Sequence, residues 1–372
     1  MTIQEPFKVN PVFLEKIWGG DALAKKLGKY VDTAIKVGES WEVSGENPHQ
    51  STIHNGPYKG LPLGDFCEQY GKDFVGACEY TSFPLLYKFI DANDKLSVQV
   101  HPDDTQTISN AWGIRGKTEC WYVVDAQDGA TIITGLKKDI TRNEMRTAIA
   151  DGSFRSMLQE ETVHPGDLFF IPAGTIHAIM AGTLIYEVQE SSDTTFRVYD
   201  WDRYDATGNP RDLHIDNAIM VSDCTAHGSA RITPVIIEHN GYTRSVRVIC
   251  RYFSLEEYIL TKGVSIVISA KKSFSVITAV NGAVTLQCNN STFEINRGET
   301  ACIPALSDYT IMSKEMSTML ISSVPDIFND YVVPLRAHGV SDSAIIALGG
   351  NIREKNDVLR AIESTHLSMQ SV

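Results

Sequence analysis

Short segments rich in Val, Ile, Phe and Tyr recur between Gly, Pro and Asn positions, at 94–101, 119–125, 167–171, 183–189, 264–268, 274–280 and 300–303. Branched and aromatic residues bounded by turn formers predict strands, because such side chains pack well on a pleated surface. Helical spacing is confined to 63–70, 103–111, 142–160 and 213–221. The third of these opens with Thr141 and Glu144 placed as a capping box, in which each side chain satisfies the other residue's free backbone N–H. The expected fold class is mainly β, with a few helices inserted.

An internal repeat organises these strands. GDLFFIPAGTIH (166–177) and GETACIPALSDY (298–309) share a Gly-acidic start and a Pro-Ala at the same offset. Before them, VVDAQDGATI (123–132) resembles ITAVNGAVTL (277–286), each a strand, a Gly turn and a strand. Between these pieces the first copy carries a segment, 135–161, read as a helical insertion that the second copy lacks. The pattern resembles two cupin-like jelly-roll β-barrels, whose Gly-x5-Pro-x4-His element supplies a metal ligand from the far side of the barrel. In the second copy the His position is Tyr309. The expected organisation is a metal-bearing catalytic domain over 1–240, a metal-free domain over 241–334, and a tail over 335–372. That tail reads as a strand-Gly-helix fragment. Its IIALGGN is a weak phosphate-turn signal and suits a docking helix or a disordered end better.

Length and charge narrow the partners. A chain of 372 residues exceeds what one core usually organises, which agrees with two domains. A net charge of −13 disfavours nucleic acid and anionic lipid, since a polyanion-binding surface needs clustered Lys and Arg. A phosphorylated substrate therefore requires a local basic pocket. Seven cysteines, an odd number with no C-x-x-C pair, read as reduced thiols. The N-terminus shows no basic segment followed by an apolar run, and no stretch approaches ~20 apolar residues. A soluble, cytoplasmic protein is expected, as a monomer or weak dimer.

Candidate chemistry gathers in the first copy. In SVQVHPDD, Gln99 and His101 lie two apart on a predicted strand and so share a face. Glu119 opens another strand-like run, and His177 ends the Gly-x5-Pro-x4-His element. Two imidazoles, a carboxylate and an amide suit zinc or another borderline divalent ion. A lone strand His is more often a satisfied core residue, so the coincidence of Gln-x-His with the barrel's own His carries the metal reading. His164, beside Pro165, reads as surface. Lys88 is an odd cation within FPLLYKFI and wants an anion, either substrate phosphate or a buried Asp or Glu. Lys117, two before Glu119, either points toward the metal or is solvated at a loop end.

The order of FPLLYKFIDANDKLSVQVHPDD, GKTECWYV, PAGTIHAI and ESSDTTFRVYDWDR resembles that of the type I mannose-6-phosphate isomerases, over about residues 6–330. WGG (18–20) and GESWEVS (38–44) look like that family's opening. The resemblance implies one zinc per chain on Gln99, His101, Glu119 and His177, with Lys117, Asp193 and Arg197 catalytic and Lys88, Trp18 and Glu42 binding a hexose 6-phosphate. It further implies proton transfer between C1 and C2 of mannose 6-phosphate to give fructose 6-phosphate. Arg197 would hold the enediolate charge, unless it is tied up in a salt bridge with Asp193. No residue is singled out as the base. Larger bacterial members place a His before the Lys of the K-x-E element, whereas this chain has Gly116, so no role given to that His applies. Two other readings remain: a non-catalytic sugar-binding or regulatory bicupin, and a metal-dependent oxygenase, which the added Gln99 disfavours.

Overall fold

Alternation with period two accounts for how the strands are used, once both faces of each sheet are considered. A computed structural model describes residues 5–31, 35–76, 82–113, 115–204 and 208–370, the side chains of 366–370 excepted. The chain is mainly β, and its strand pairs are antiparallel in four sheets. A six-stranded sheet runs in the order Leu168–Ile171, Glu119–Ala126, Thr183–Glu190, Leu85–Ala92, Val37–Val43 and Val12–Gly20. Leu85–Ala92 and Thr183–Glu190 are buried at every position. One face of this sheet sends Tyr87, Phe89, Cys120, Tyr122, Tyr186 and Val188 into the largest apolar cluster, shared with Val276, Cys302 and Leu320 of the second unit. The opposite face carries Trp121, Val123, Phe169 and Ile185 together with the charged Lys88, Glu119 and Glu187. A strand buried on both sides thus shows no polar alternation except where its inner face lines a site.

A five-stranded sheet completes the first unit, in the order Phe196–Tyr199, Val98–Val100, His177–Ile179, Thr131–Leu136 and Leu158–Thr162. The helices Arg142–Ala150 and Ile215–Val221 cover its outside, packing Met145, Ala148, Ala218 and Ile219 against Val98, Val100 and Phe196. Gln99, between Val98 and Val100, therefore faces inward.

The second unit has an eight-stranded sheet ordered Val235–His239, Tyr242–Ile249, Ser254–Leu260, Ser317–Ser323, Ser275–Asn281, Thr300–Ile303, Phe7–Asn10 and Thr52–Ile53. A four-stranded sheet, Ser265–Ile268, Tyr309–Ser313, Ala283–Cys288 and Ser291–Asn296, lies across it. The chain is not shared out at a single point, because the N-terminal Phe7–Asn10 pairs with Thr300–Ile303 of the second unit. The repeat is visible in space: Ile171 and Ile303 end equivalent strands, and His177 and Tyr309 begin the next ones. Gly166 and Gly298, the matching turn residues, have φ of 89° and 81°, which only glycine adopts without strain.

Three expected elements differ. The helix read over 142–160 stops at Ala150. Gly152, at φ 78°, turns the chain into a 3-10 turn at Phe154–Met157 and then the strand Leu158–Thr162, so only part of 135–161 is helical. The strand read over 94–101 is confined to Val98–Val100. The tail contains no strand among the described residues. After a π-helical turn at Ile327–Val332 it forms Val333–Ala337, Asp342–Ala347, a 3-10 turn at Arg353–Lys355 and Asp357–Gln370. Ile345, Leu348, Val358 and Ile362 are buried in the central cluster, so the tail docks. The capping box holds: Thr141 accepts from the Glu144 N–H, and Glu144 accepts from that of Thr141. No described helix is long and apolar enough to cross a membrane. Cys78 lies outside the described residues, and the other six cysteines are free thiols.

Candidate active site

Three strands and one loop bring the predicted ligands together between the two sheets of the first unit. Gln99 pairs across the five-stranded sheet with His177 on one side and Arg197 on the other. Glu119 reaches the same point from the facing sheet, at the start of Glu119–Ala126. His101, just past the end of Val98–Val100, completes the set. His101, Glu119 and His177 are all buried, and their donor atoms lie within 4.8 Å of one another.

The imidazoles are held in one orientation. His101 Nδ1 is 2.9 Å from the Thr194 carbonyl and His177 Nδ1 is 2.8 Å from that of Thr175. A carbonyl only accepts, so each Nδ1 carries the proton and each Nε2 presents a lone pair inward. Burial, reinforced by the Lys117 ammonium, pushes the His101 pKa well below the ordinary value and that of His177 down to about 3, so both rings stay neutral. Burial raises the Glu119 carboxyl against the opposing pull of Lys117.

Distances between the inward atoms test the fit of a metal. His101 Nε2 is 3.6 Å from Glu119 Oε2 and His177 Nε2 is 3.3 Å from Glu119 Oε1, while the Gln99 amide nitrogen donates to His177 Nε2 at 3.3 Å, so Gln99 would ligate only with its amide turned to present the oxygen. Ligands ~2.0–2.1 Å from a tetrahedral ion stand about 3.3 Å apart, and the two His–Glu edges lie close to that spacing. Glu119 Oε1 is buried without a hydrogen-bond partner, which is costly unless a cation shares it. Lys117 Nζ already donates to Glu119 Oε2 and lies 3.1 Å from His101 Nε2, so the donors are arranged around positive charge. The residues present fit a divalent ion.

Beside the ligands opens a cavity of about 340 Å³ lined by Lys16, Trp18, Glu39, Lys88, Gln99, Lys117, Trp121, Glu187, Asp193, Arg197, Arg211 and His214, among others. Trp18, Lys88, Lys117, Asp193 and Arg197, the residues that the resemblance groups together, all line this one cavity. Lys117 is buried and points at the ligands instead of being solvated. Arg197 Nε donates to the Asp212 carbonyl at 3.2 Å, and no Arg197–Asp193 ion pair forms among the described residues. Of the two anions open to Lys88, the protein supplies one itself: Glu187 Oε2 lies 3.3 Å away on the paired strand. Burial lowers the Lys88 pKa, but Glu187 and Glu39 outweigh it and keep the ammonium charged.

Glu42 does not join the site. It turns to the opposite face of Val37–Val43, where it pairs with Lys29 at 2.7 Å and accepts from Ser40 and Thr300. Period two gives the reason, since Glu39 and Trp41 occupy the inward face, and it is Glu39 that lines the cavity. Gly116 has no room for a side chain: a Cβ there would sit 2.6 Å from the Asp103 carbonyl carbon and the Asp104 nitrogen. His164 is at the surface, as expected. Lys16, Glu39, Glu187, Arg211 and His214 were not anticipated. Glu187 carried the same signal as Lys88, a charge inside an otherwise apolar run, LIYEV (184–188).

Residues 6–112 match the family profile described as "Phosphomannose isomerase type I, catalytic domain". Mannose-6-phosphate isomerase ManA of Bacillus subtilis (strain 168) is 37% identical over 300 residues, covering 81% of this chain and 93% of the relative. The mannose-6-phosphate isomerase of Streptococcus mutans is likewise 37% identical over 300 residues, covering 81% and 92%. The crystal structure of mannose 6-phosphate isomerase from Bacillus subtilis superimposes with a TM-score of 0.79 at 34% identity, covering 86% of this chain and 99% of that one.

Proposed function

The chain belongs to the type I phosphomannose isomerase family, and we propose that it interconverts mannose 6-phosphate and fructose 6-phosphate at the cavity beside His101, Glu119 and His177. The observation that carries this reading is the orphaned, buried Glu119 Oε1 between two neutral imidazoles, opening onto a cavity walled by Lys117 and Arg197. Gln99, His101, Glu119 and His177 would hold one zinc ion. When bound, zinc would serve as a Lewis acid toward the oxygens on C1 and C2.

The chain's own side chains divide the remaining work. Moving a proton between C1 and C2 places negative charge on the enediolate oxygens, and the Arg197 guanidinium meets that charge as a permanent cation with a rigid fork of donors. The proton must be held meanwhile by a wall group. Glu187 and Lys117 are buried and line the cavity, which shields an exchanging proton from bulk water better than the exposed Asp193 does. For Glu187, burial raises the carboxyl, but Lys117 and Lys88 outweigh it and keep it an anion able to accept. Lys88 is neutralised by Glu187 deep in the wall, so the phosphate end fits better at Lys16, Arg211 and His214.

A coupled assay for fructose 6-phosphate, run on protein as purified, after chelation and after zinc is restored, tests the proposal. Activity should vanish on chelation and return with zinc. Absence of turnover in every state, with metal bound, would replace the isomerase reading with that of a sugar-binding bicupin.

A further inference from the structure

The similarity covers 86% of this chain and 99% of the Bacillus subtilis structure, so about fifty residues have no counterpart there. The resemblance carried by the sequence motifs runs over about residues 6–330, and the helical segments beyond it are seated on both barrel units. Ile345, Leu348, Val358 and Ile362 enter the central apolar cluster, and the Leu348 carbonyl accepts from Ile249 N–H at 3.0 Å. The Asn351 amide donates to the carbonyls of His227 and Ser229, at 2.6 and 2.7 Å. Buried Asn356 ties the two flanking helical segments together, donating to the carbonyls of Ile346 and Gly350 and accepting from Leu359 N–H, each at 2.8 Å. This frame presents Lys355 to one place in the first unit: Nζ donates to the Ala173 carbonyl at 2.7 Å and lies 3.5 Å from Asp223 Oδ2.

Ala173 belongs to the short loop 172–176 that presents His177, and that loop touches every segment bearing a ligand. Gly174 N–H donates to the His101 carbonyl at 2.8 Å. The Thr175 carbonyl, at 2.8 Å from His177 Nδ1, sets the tautomer and orientation of that ring. Ala173 N–H donates to Thr118 Oγ1, next to Glu119, at 3.4 Å. Asp223 N–H donates to the Gly174 carbonyl at 2.8 Å, so Lys355 also braces the loop's outer support. Gly174 has φ 88°, and a Cβ there would stand 3.3 Å from Lys355 Nζ, which shows how closely the ammonium is seated.

We propose that the C-terminal extension is a clamp on the ligand-presenting loop, and that Lys355 is the positioning residue through which it holds His101, Glu119 and His177 in register. Groups that orient metal ligands from outside act on metal retention and on turnover more than on substrate binding. The turnover part rests on the isomerase reading above, whereas the clamp itself can be read without metal or substrate.

The test compares full-length wild type with Lys355→Met, which keeps the apolar stem, and Lys355→Arg, which can still donate to the carbonyl. In metal-free protein, hydrogen exchange at the Gly174 amide should speed up about tenfold in Lys355→Met, with little change in the second unit. Zinc loss to a chelator should be about tenfold faster, and kcat should fall about fivefold with KM within about twofold. Lys355→Arg should recover most of each change. Unaltered exchange at Gly174, or a rise spread evenly over the chain, would overturn the clamp. If wild type neither held zinc nor turned over, the isomerase reading would fail, and the exchange comparison would still decide the clamp.

Discussion

His177 and Tyr309 each open the strand after a Pro-Ala turn, one in each barrel unit, and the interiors around them are filled differently. Around His177 stand Glu119, Lys117, Lys88 and Glu187, and a cavity of about 340 Å³ is left open. Around Tyr309 stand Ile277, Ala279, Leu286, Ile303, Ile311 and Met319, packed as a core. Charge does enter the second unit, but as a closed network. Glu256 accepts from Arg244 at 2.6 Å, Lys271 at 3.1 Å, the Tyr331 hydroxyl at 2.6 Å and the Tyr258 hydroxyl at 2.9 Å. One unit leaves a buried carboxylate oxygen unpartnered while the other satisfies both oxygens of its carboxylate several times over. An incompletely satisfied buried polar group costs stability, so the first barrel bears that cost on a carboxylate at its site, whereas around Tyr309 the second bears it only on an uncharged hydroxyl.

Substitutions can widen or erase this contrast. His177→Ala should have the largest effect, removing stoichiometric zinc and lowering kcat by at least about a thousandfold, as read by metal analysis and the coupled assay. Arg197→Ala should come next, with a loss in kcat on the order of a hundred- to a thousandfold and zinc content unchanged. Retained activity would mean that the enediolate charge is held elsewhere.

Glu256→Gln addresses the second unit. It strands Arg244 and Lys271 without their carboxylate and should cost about 3 kcal/mol in urea unfolding, while kcat of the folded protein stays the same. A smaller effect follows from pH. Burial raises the Glu256 carboxyl, but Lys271 and Arg244 outweigh it and hold it below the ordinary carboxylate range. The unfolded chain therefore binds this proton more readily than the folded one. The stability Glu256 contributes is complete above about pH 5 and drains away as pH falls through the folded value. The difference in unfolding free energy between wild type and Glu256→Gln should shrink from pH 6 toward pH 3. Tyr309→Phe should do least, changing stability by about 0.5 kcal/mol or less and leaving kcat and zinc content as they were. A loss of zinc there would mean that the second barrel takes part in metal binding.

Much of the molecule could be read from its order of residues. The repeat placed His177 and Tyr309 at matching positions, the Gln-x-His spacing put Gln99 and His101 to one side, and the capping box at Thr141 and Glu144 formed as written. Such features depend on neighbours in sequence, or on the strict periods of strand and helix, which act before any tertiary contact forms. Glu42 shows where this reading stops: VGESWEV offers two glutamates, and the inward face was decided by how the strand lies between two sheets, which selected Glu39.

By itself, the sequence determined the mainly β class, the doubled barrel element and the candidates Gln99, His101, Glu119 and His177, which meet at one point, because local period and composition encode which side chains share a face. Only the tertiary structure decided that Lys88 is partnered by Glu187, that Arg211 and His214 line the cavity, and that the tail clamps the Ala173 loop through Lys355. Those pairings join residues far apart in the chain. Nothing in a local pattern specifies them, since the free energy that selects one long-range partner over another arises only when the sheets have packed.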